Sequence, residues 1–199
     1  MPEITVPFTG WYESHRKFQV TFTPGLTTLV GKNGSGKSSM IMEMKTWLFD
    51  KDIPAYHYDQ VREGTNTFHA GLFGGDIATA ATYKCSSEGE KIVVSYGSKL
   101  QNIKQFLNKF KDSEAVFLLC DGLDSGLSIN VIRELLDIFE IMLKEYPNLY
   151  IVNTTNNYEF IGNSRCIIAK NGKDIKFKTY NAFVKFITKK DRAKNKEEG

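Results

Sequence analysis

The sequence predicts an α/β protein with a mainly parallel sheet flanked by helices and additional antiparallel strands. Three observations carry this. Apolar runs of strand length, at 27–30, 115–121 and 149–155, alternate with longer stretches whose apolar residues recur at helical spacing. Such alternation calls for crossover helices, and therefore for parallel strands. A glycine-rich loop joins the first run to the first helix, and Asn171-Gly172 separates two later extended runs, as in a hairpin.

Residues 17–23 ("KFQVTFT") and 27–30 read as strands separated by a turn at Pro24 and Gly25. Across 39–49, Met40, Ile41, Met44, Trp47 and Leu48 follow helical spacing. Residues 50–88 show no clear period: "KDIPAYHYDQVREGTN" offers one short strand, and the following Gly, Ala and Thr suggest loops and short helices. From Gly89 to Phe110, the positions of Ile92, Val93, Tyr96, Leu100, Ile103, Phe106 and Leu107 predict an amphipathic helix. After the strand at 115–121, a helix over 129–146 carries Ile132, Leu135, Leu136, Phe139, Met142 and Leu143, and Pro147 and Asn148 stop it. A strand at 149–155, the hairpin and a helix over 182–189 complete the chain. The expected organisation is one domain, 1–188, with a much-reduced helical lobe at about 50–88, followed by a charged, disordered tail, 189–199.

With 199 residues, 41% of them hydrophobic, the chain can bury one substantial core. Lysine and arginine exceed aspartate and glutamate by only 26 to 23, much of the excess in the tail, so charge alone argues for no nucleic-acid field. No apolar stretch approaches the roughly 20 residues that span a bilayer, and "MPEITVPFTG" lacks the features of a signal peptide. A cytoplasmic protein without a membrane partner is expected. Cys85, Cys120 and Cys166 are odd in number and form no CxxC, which argues against a disulfide framework and a zinc site.

Residues 31–38, "GKNGSGKS", match G-x-x-x-x-G-K-[ST] after a strand and before a helix, the context the motif needs. Glycines 31, 34 and 36 let the backbone curl so that its N–H groups face phosphate oxygens, and the helix that follows turns its positive end to the same anion. Lys37 is placed to reach the β- and γ-phosphates and Ser38 to hold Mg²⁺, with Asn33, Ser35 and Ser39 completing the cradle. The apolar run "AVFLLC" ends at Asp121. The carboxyl end of a strand buried on both faces lies where α/β sheets bind ligands, so Asp121 is expected to hold the metal through a water. ATP and Mg²⁺ are the expected ligands, with Lys37 and Asp121 as catalytic residues of a P-loop NTPase fold.

"PGLTTLVGKNGSGKSS" and "DGLDSGLS" resemble the ABC-type ATPase superfamily, in particular the heads of SMC and RecF-like DNA-repair ATPases and small phage-encoded ATP-binding proteins. The resemblance covers most of the chain. It implies that Asp124, Ser125, Gly126 and Leu127 form a D-loop, and that "CSSEGEK" at 85–91 is similar to the family's signature motif. Ser87 and Gly89 of one subunit would then cap ATP held by the other, in an ATP-dependent homodimer. A hydroxyl, a glycine and a helix N-terminus do make an anion site, although a helix N-cap, Ser87 with Glu90 three residues on, accounts for the same letters. The resemblance makes Gln60 a candidate Q-loop glutamine, against a plain loop glutamine, and implies a DNA or nucleoprotein partner. Trp11, Tyr12 and Phe18 are candidates for stacking on adenine or for ordinary core packing.

Two positions depart from that pattern. The family's glutamate, which activates or positions water, is replaced by Gly122, and the switch histidine by Thr155 or Asn156. Loss of an acid–base group costs about 10² to 10⁴ in rate, so slow hydrolysis is expected. Asp124 is a candidate substitute carboxylate; Glu63 and Asp59 are others. The span from Lys37 to Ser87 is too short for a coiled coil or a full helical lobe. Two functions remain in view: a weak ATPase that switches by dimerising, or a catalytically degenerate ATP-binding module that regulates or assembles with a partner. A small-molecule kinase is disfavoured, because Arg16, Arg62, Arg133, Arg165 and Arg192 are scattered rather than gathered in a lid. A transporter subunit is disfavoured by the lack of a membrane-coupling lobe.

Overall fold

The computed structural model describes residues 2–9, 17–59, 100–124, 127–162 and 164–189. A six-stranded sheet organises them. Its strands, in chain order, are β3 (Gly25–Val30), β4 (Ala55–Asp59), β5 (Val116–Asp121), β6 (Leu149–Thr154), β7 (Arg165–Ile168) and β8 (Asp174–Ile175), laid out as β4-β5-β6-β3-β7-β8. All neighbours are parallel except β7 and β8, the antiparallel hairpin expected around Asn171-Gly172. The helices are α1 (Lys37–Asp50), α2 across 100–109, α3 (Ile129–Glu145) and α4 (Tyr180–Thr188).

The uninterrupted apolar runs have a plain cause, since the sheet is buried on both faces. Along β6, Tyr150 and Val152 pack with Phe117, Leu119, Leu29 and the α1 residues Met40, Ile41, Met44 and Leu48. Alternate residues Leu149 and Ile151 pack the other way, with Ile103 and Leu107 of α2 and Ile132, Leu135 and Phe139 of α3. Phe117 and Tyr150 stack across neighbouring strands, centroids 4.5 Å apart. Asn148, just past the proline that stops α3, donates from Nδ2 to the Ser113 carbonyl at 2.6 Å and so pins the start of β6 to the turn before β5. Phe183 of α4 closes a smaller cluster with Val30, Ile161 and Cys166.

A separate ribbon covers the α1 face. In it β1 (Ile4–Phe8) pairs antiparallel with β2 (Phe18–Phe22), burying Val6, Phe8, Val20 and Phe22 and turning Thr5 and Thr21 outward. The sequence pointed to β2 but not to its partner. Pro7 argues against a strand where every N–H is needed, and a two-stranded ribbon, all edge, accommodates it. The short strand expected after α1 is β4, which forms the edge of the main sheet beside β5. Residues 60–88, the bulk of the expected reduced lobe, lie outside the described residues, as does the tail from 190. Among the described residues no helix is long and apolar enough to cross a membrane.

In the strand order, β6 lies between β3, which leads into the glycine loop, and β5, which ends at Asp121. The end of β6 therefore stands between the two halves of the expected phosphate site.

Candidate functional site

The glycine loop has the backbone that its sequence requires. Gly34 and Gly36 have φ of 74° and 91°, the left-handed region that side chains disfavour. At Gly31 a Cβ would lie 2.3 Å from Ser35 Oγ, so the missing side chain makes room for that hydroxyl. Gly36 is also the N-cap of α1; it provides no capping side chain, and no acidic residue stands in the first turn. The first N–H groups of α1 are thereby left to an external anion. Ser35 Oγ is buried without a hydrogen-bond partner, a polar atom that a bound ligand would satisfy.

Loop and sheet end enclose a cavity of about 390 Å³, within the range of small-molecule sites. Lys37 lines it, and its ammonium donates to the carbonyls of Gly31 (2.8 Å) and Lys32 (3.2 Å) and to Asn156 Oδ1 (3.0 Å). Burial lowers the Lys37 pKa from its ordinary value, and the carboxylates of Asp124 and Asp121 oppose that lowering. Across the cavity, Asp121 Oδ1 accepts from the Thr154 hydroxyl at 2.5 Å. The Gly122 N–H donates to the same Thr154 oxygen at 2.9 Å, in a turn where Gly122 has φ of 68°. Asp124 Oδ2 accepts from the Thr155 hydroxyl and from the Asn156 N–H, both at 2.8 Å. Asn156 Nδ2 donates to Asn33 Oδ1 at 2.6 Å.

The residues expected from the sequence largely meet here. Asn33, Gly34, Ser35, Gly36, Lys37, Ser38, Ser39, Asp121 and Asp124 all line the cavity, and Gly31 touches Lys37 from behind. Phe18 lines its apolar end, stacked on Phe8 with centroids 5.4 Å apart. Gln60, Ser87 and Gly89 lie outside the described residues, as do Trp11, Tyr12 and Glu63. Asp59 stands opposite Asp121 in register but does not line the cavity. Thr154, Phe8, Glu43 and Lys170 line it without standing out in the sequence. For Thr154 a signal was present, three polar residues, Asn153 to Thr155, ending the apolar start of "LYIVNTT". Phe8 depended on a strand that the proline obscured.

The model of the AAA domain family matches residues 12–198, a span that holds the glycine loop, Asp121 and every element from β2 to α4. The chain belongs to the AAA domain family. As an AAA domain it is a nucleotide-binding P-loop ATPase fold, in keeping with the mostly parallel sheet and the loop geometry. No curated protein matches the chain. Asp121 at the sheet end and Ser38 at the start of α1 bring one carboxylate and one hydroxyl to the cavity, a small oxygen set of the kind that suits Mg²⁺ alongside phosphates and water.

Proposed function

We propose that this AAA domain binds Mg-ATP between its glycine loop and the end of β5, pairs with a second copy around it, and hydrolyses it slowly. One observation carries the reading: Lys37, the uncapped start of α1 and Asp121 all line one cavity of about 390 Å³. The backbone of 31–36 would receive the phosphates, with Lys37 on their charged end and Ser39 beside them. Ser38 and Asp121 would hold Mg²⁺, which when bound neutralises charge on the phosphate oxygens. Thr154 fixes the Asp121 carboxylate in place, and Phe8 and Phe18 offer an apolar wall suited to an adenine ring.

Slow turnover follows from Gly122, which supplies no base where related ATPases carry glutamate. Pairing of two copies through Ser87 and Gly89, the part of Gln60 on the Mg²⁺ side, and action on DNA or a nucleoprotein in a cytoplasm, that of the host for a phage protein, are supported by the resemblance to SMC and RecF-like heads. A second reading, a binding module that regulates a partner without turnover, is favoured by the left-handed Gly122 backbone, which a glutamate would strain. Phosphate release from Mg-ATP separates the two. The first predicts slow release that Lys37→Ala abolishes; release equal in wild type and Lys37→Ala overturns it, and binding with no release favours the second.

A further inference from the structure

Asp124 brings a carboxylate to the cavity within reach of the role Gly122 leaves open, but its hydrogen bonds serve a different purpose. Its Oδ2 accepts from two groups of the segment after β6, the Thr155 hydroxyl and the Asn156 N–H. The Asn156 side chain has other partners, accepting from Lys37 Nζ at 3.0 Å and donating to Asn33 Oδ1 at 2.6 Å. A single residue thus links the loop after β5 both to the lysine and to the tip of the glycine loop. We propose that Asp124 is a positioning residue: it holds Asn156, and through Asn156 it sets Lys37 and Asn33, so that the two sides of the cavity are tethered together.

The arithmetic of donors supports this. An ammonium has three N–H groups, and those of Lys37 meet three acceptors, of which only Asn156 Oδ1 comes from outside the glycine loop. Asn156 is therefore the contact that relates the lysine to the rest of the sheet end. Asn156 in turn is exposed at its side chain and held at its backbone by a part-buried Thr155–Asp124 pair, so its posture depends on Asp124. Asp124 stands four residues before Ser128, the N-cap of α3, so the tether lies close in sequence to the start of that helix.

This inference rests on the Mg-ATP reading for its functional part, and the test keeps the two apart. The full-length protein is compared with Asp124→Ala, Asp124→Asn, Asn156→Ala and the Asp124→Ala/Asn156→Ala double variant. Amide hydrogen exchange at 154–157 without nucleotide reads the tether alone: protection falls in Asp124→Ala and persists in Asp124→Asn, whose Oδ1 still accepts. Calorimetric titration with Mg-ATP reads its function. Affinity falls about tenfold in Asp124→Ala, recovers to within about twofold in Asp124→Asn, and is no weaker in the double variant than in Asn156→Ala. Losses that multiply in the double variant, or unchanged exchange in Asp124→Ala, overturn the tether. Phosphate release lowered a hundredfold or more in Asp124→Asn at unchanged affinity marks a base and overturns it as well, even if Asp124→Ala fails to fold. Absent Mg-ATP binding in the wild type removes the functional reading, while exchange still decides the tether.

Discussion

At Gly122 the loss of glutamate is a matter of backbone as well as side chain. With φ of 68°, the turn that brings its N–H to Thr154 places this residue where an L-side chain costs about 1–2 kcal/mol. Gly122→Glu is therefore expected to lower the melting temperature by about 2–8 °C and to leave phosphate release no faster. A variant as stable as wild type that releases phosphate faster would contradict this. Lys37 supports a second prediction. In the proposed Mg-ATP complex phosphate would need Lys37 as the ammonium, and burial lowers the Lys37 pKa from the ordinary 10.5. Nucleotide affinity should hold through neutral pH and decline as pH rises through a value below 10.5, which titrations from pH 7 upward would detect. That Lys37, Ser38 and Asp121 meet at one cavity was legible in the sequence, because motif spacing and strand context place them at the same end of the sheet. The work of Thr154 and Asn156 was not, because it exists only once β6 lies between two strands that the chain order does not make neighbours.

Among the elements, the β7–β8 hairpin does more than end the sheet. A Cβ at Gly172 would lie 2.4 Å from the Phe18 ring, and Gly172 has φ of 69°, so the turn presses on the ribbon strand that lines the cavity. Arg165 reinforces the contact by bonding both Asp174 and the Thr21 carbonyl. Gly172→Ala combines backbone strain with a ring clash and should cost at least about 2 kcal/mol, read by denaturant unfolding. A variant within about 0.5 kcal/mol of wild type, on the order of surface changes, would show that turn and ribbon are independent. Elements with a strong local period, α1, α3 and the Asn-Gly hairpin, were plain in the sequence, as were the continuous runs of β5 and β6. β1 was hidden by Pro7, and β4 showed only as a strand of unknown place, because pairing is decided by distant partners rather than by its own five residues.

For the whole molecule, the two-copy arrangement proposed above assigns the pairing to 85–91, and the molecular mass in solution addresses it directly. Mg-ATP is expected to double the mass of the wild type and to leave that of Ser87→Ala unchanged; a wild type that stays monomeric with saturating Mg-ATP removes the two-copy arrangement but not the site. The site itself rests on the meeting of a glycine loop, a lysine and a strand-end aspartate on one cavity. Equilibrium dialysis against ATP and Mg²⁺ tests that claim most directly. One nucleotide should bind per chain, with affinity weakened about a hundredfold or more by Lys37→Ala. Equal retention of ATP by wild type and Lys37→Ala, or retention by neither, would contradict it.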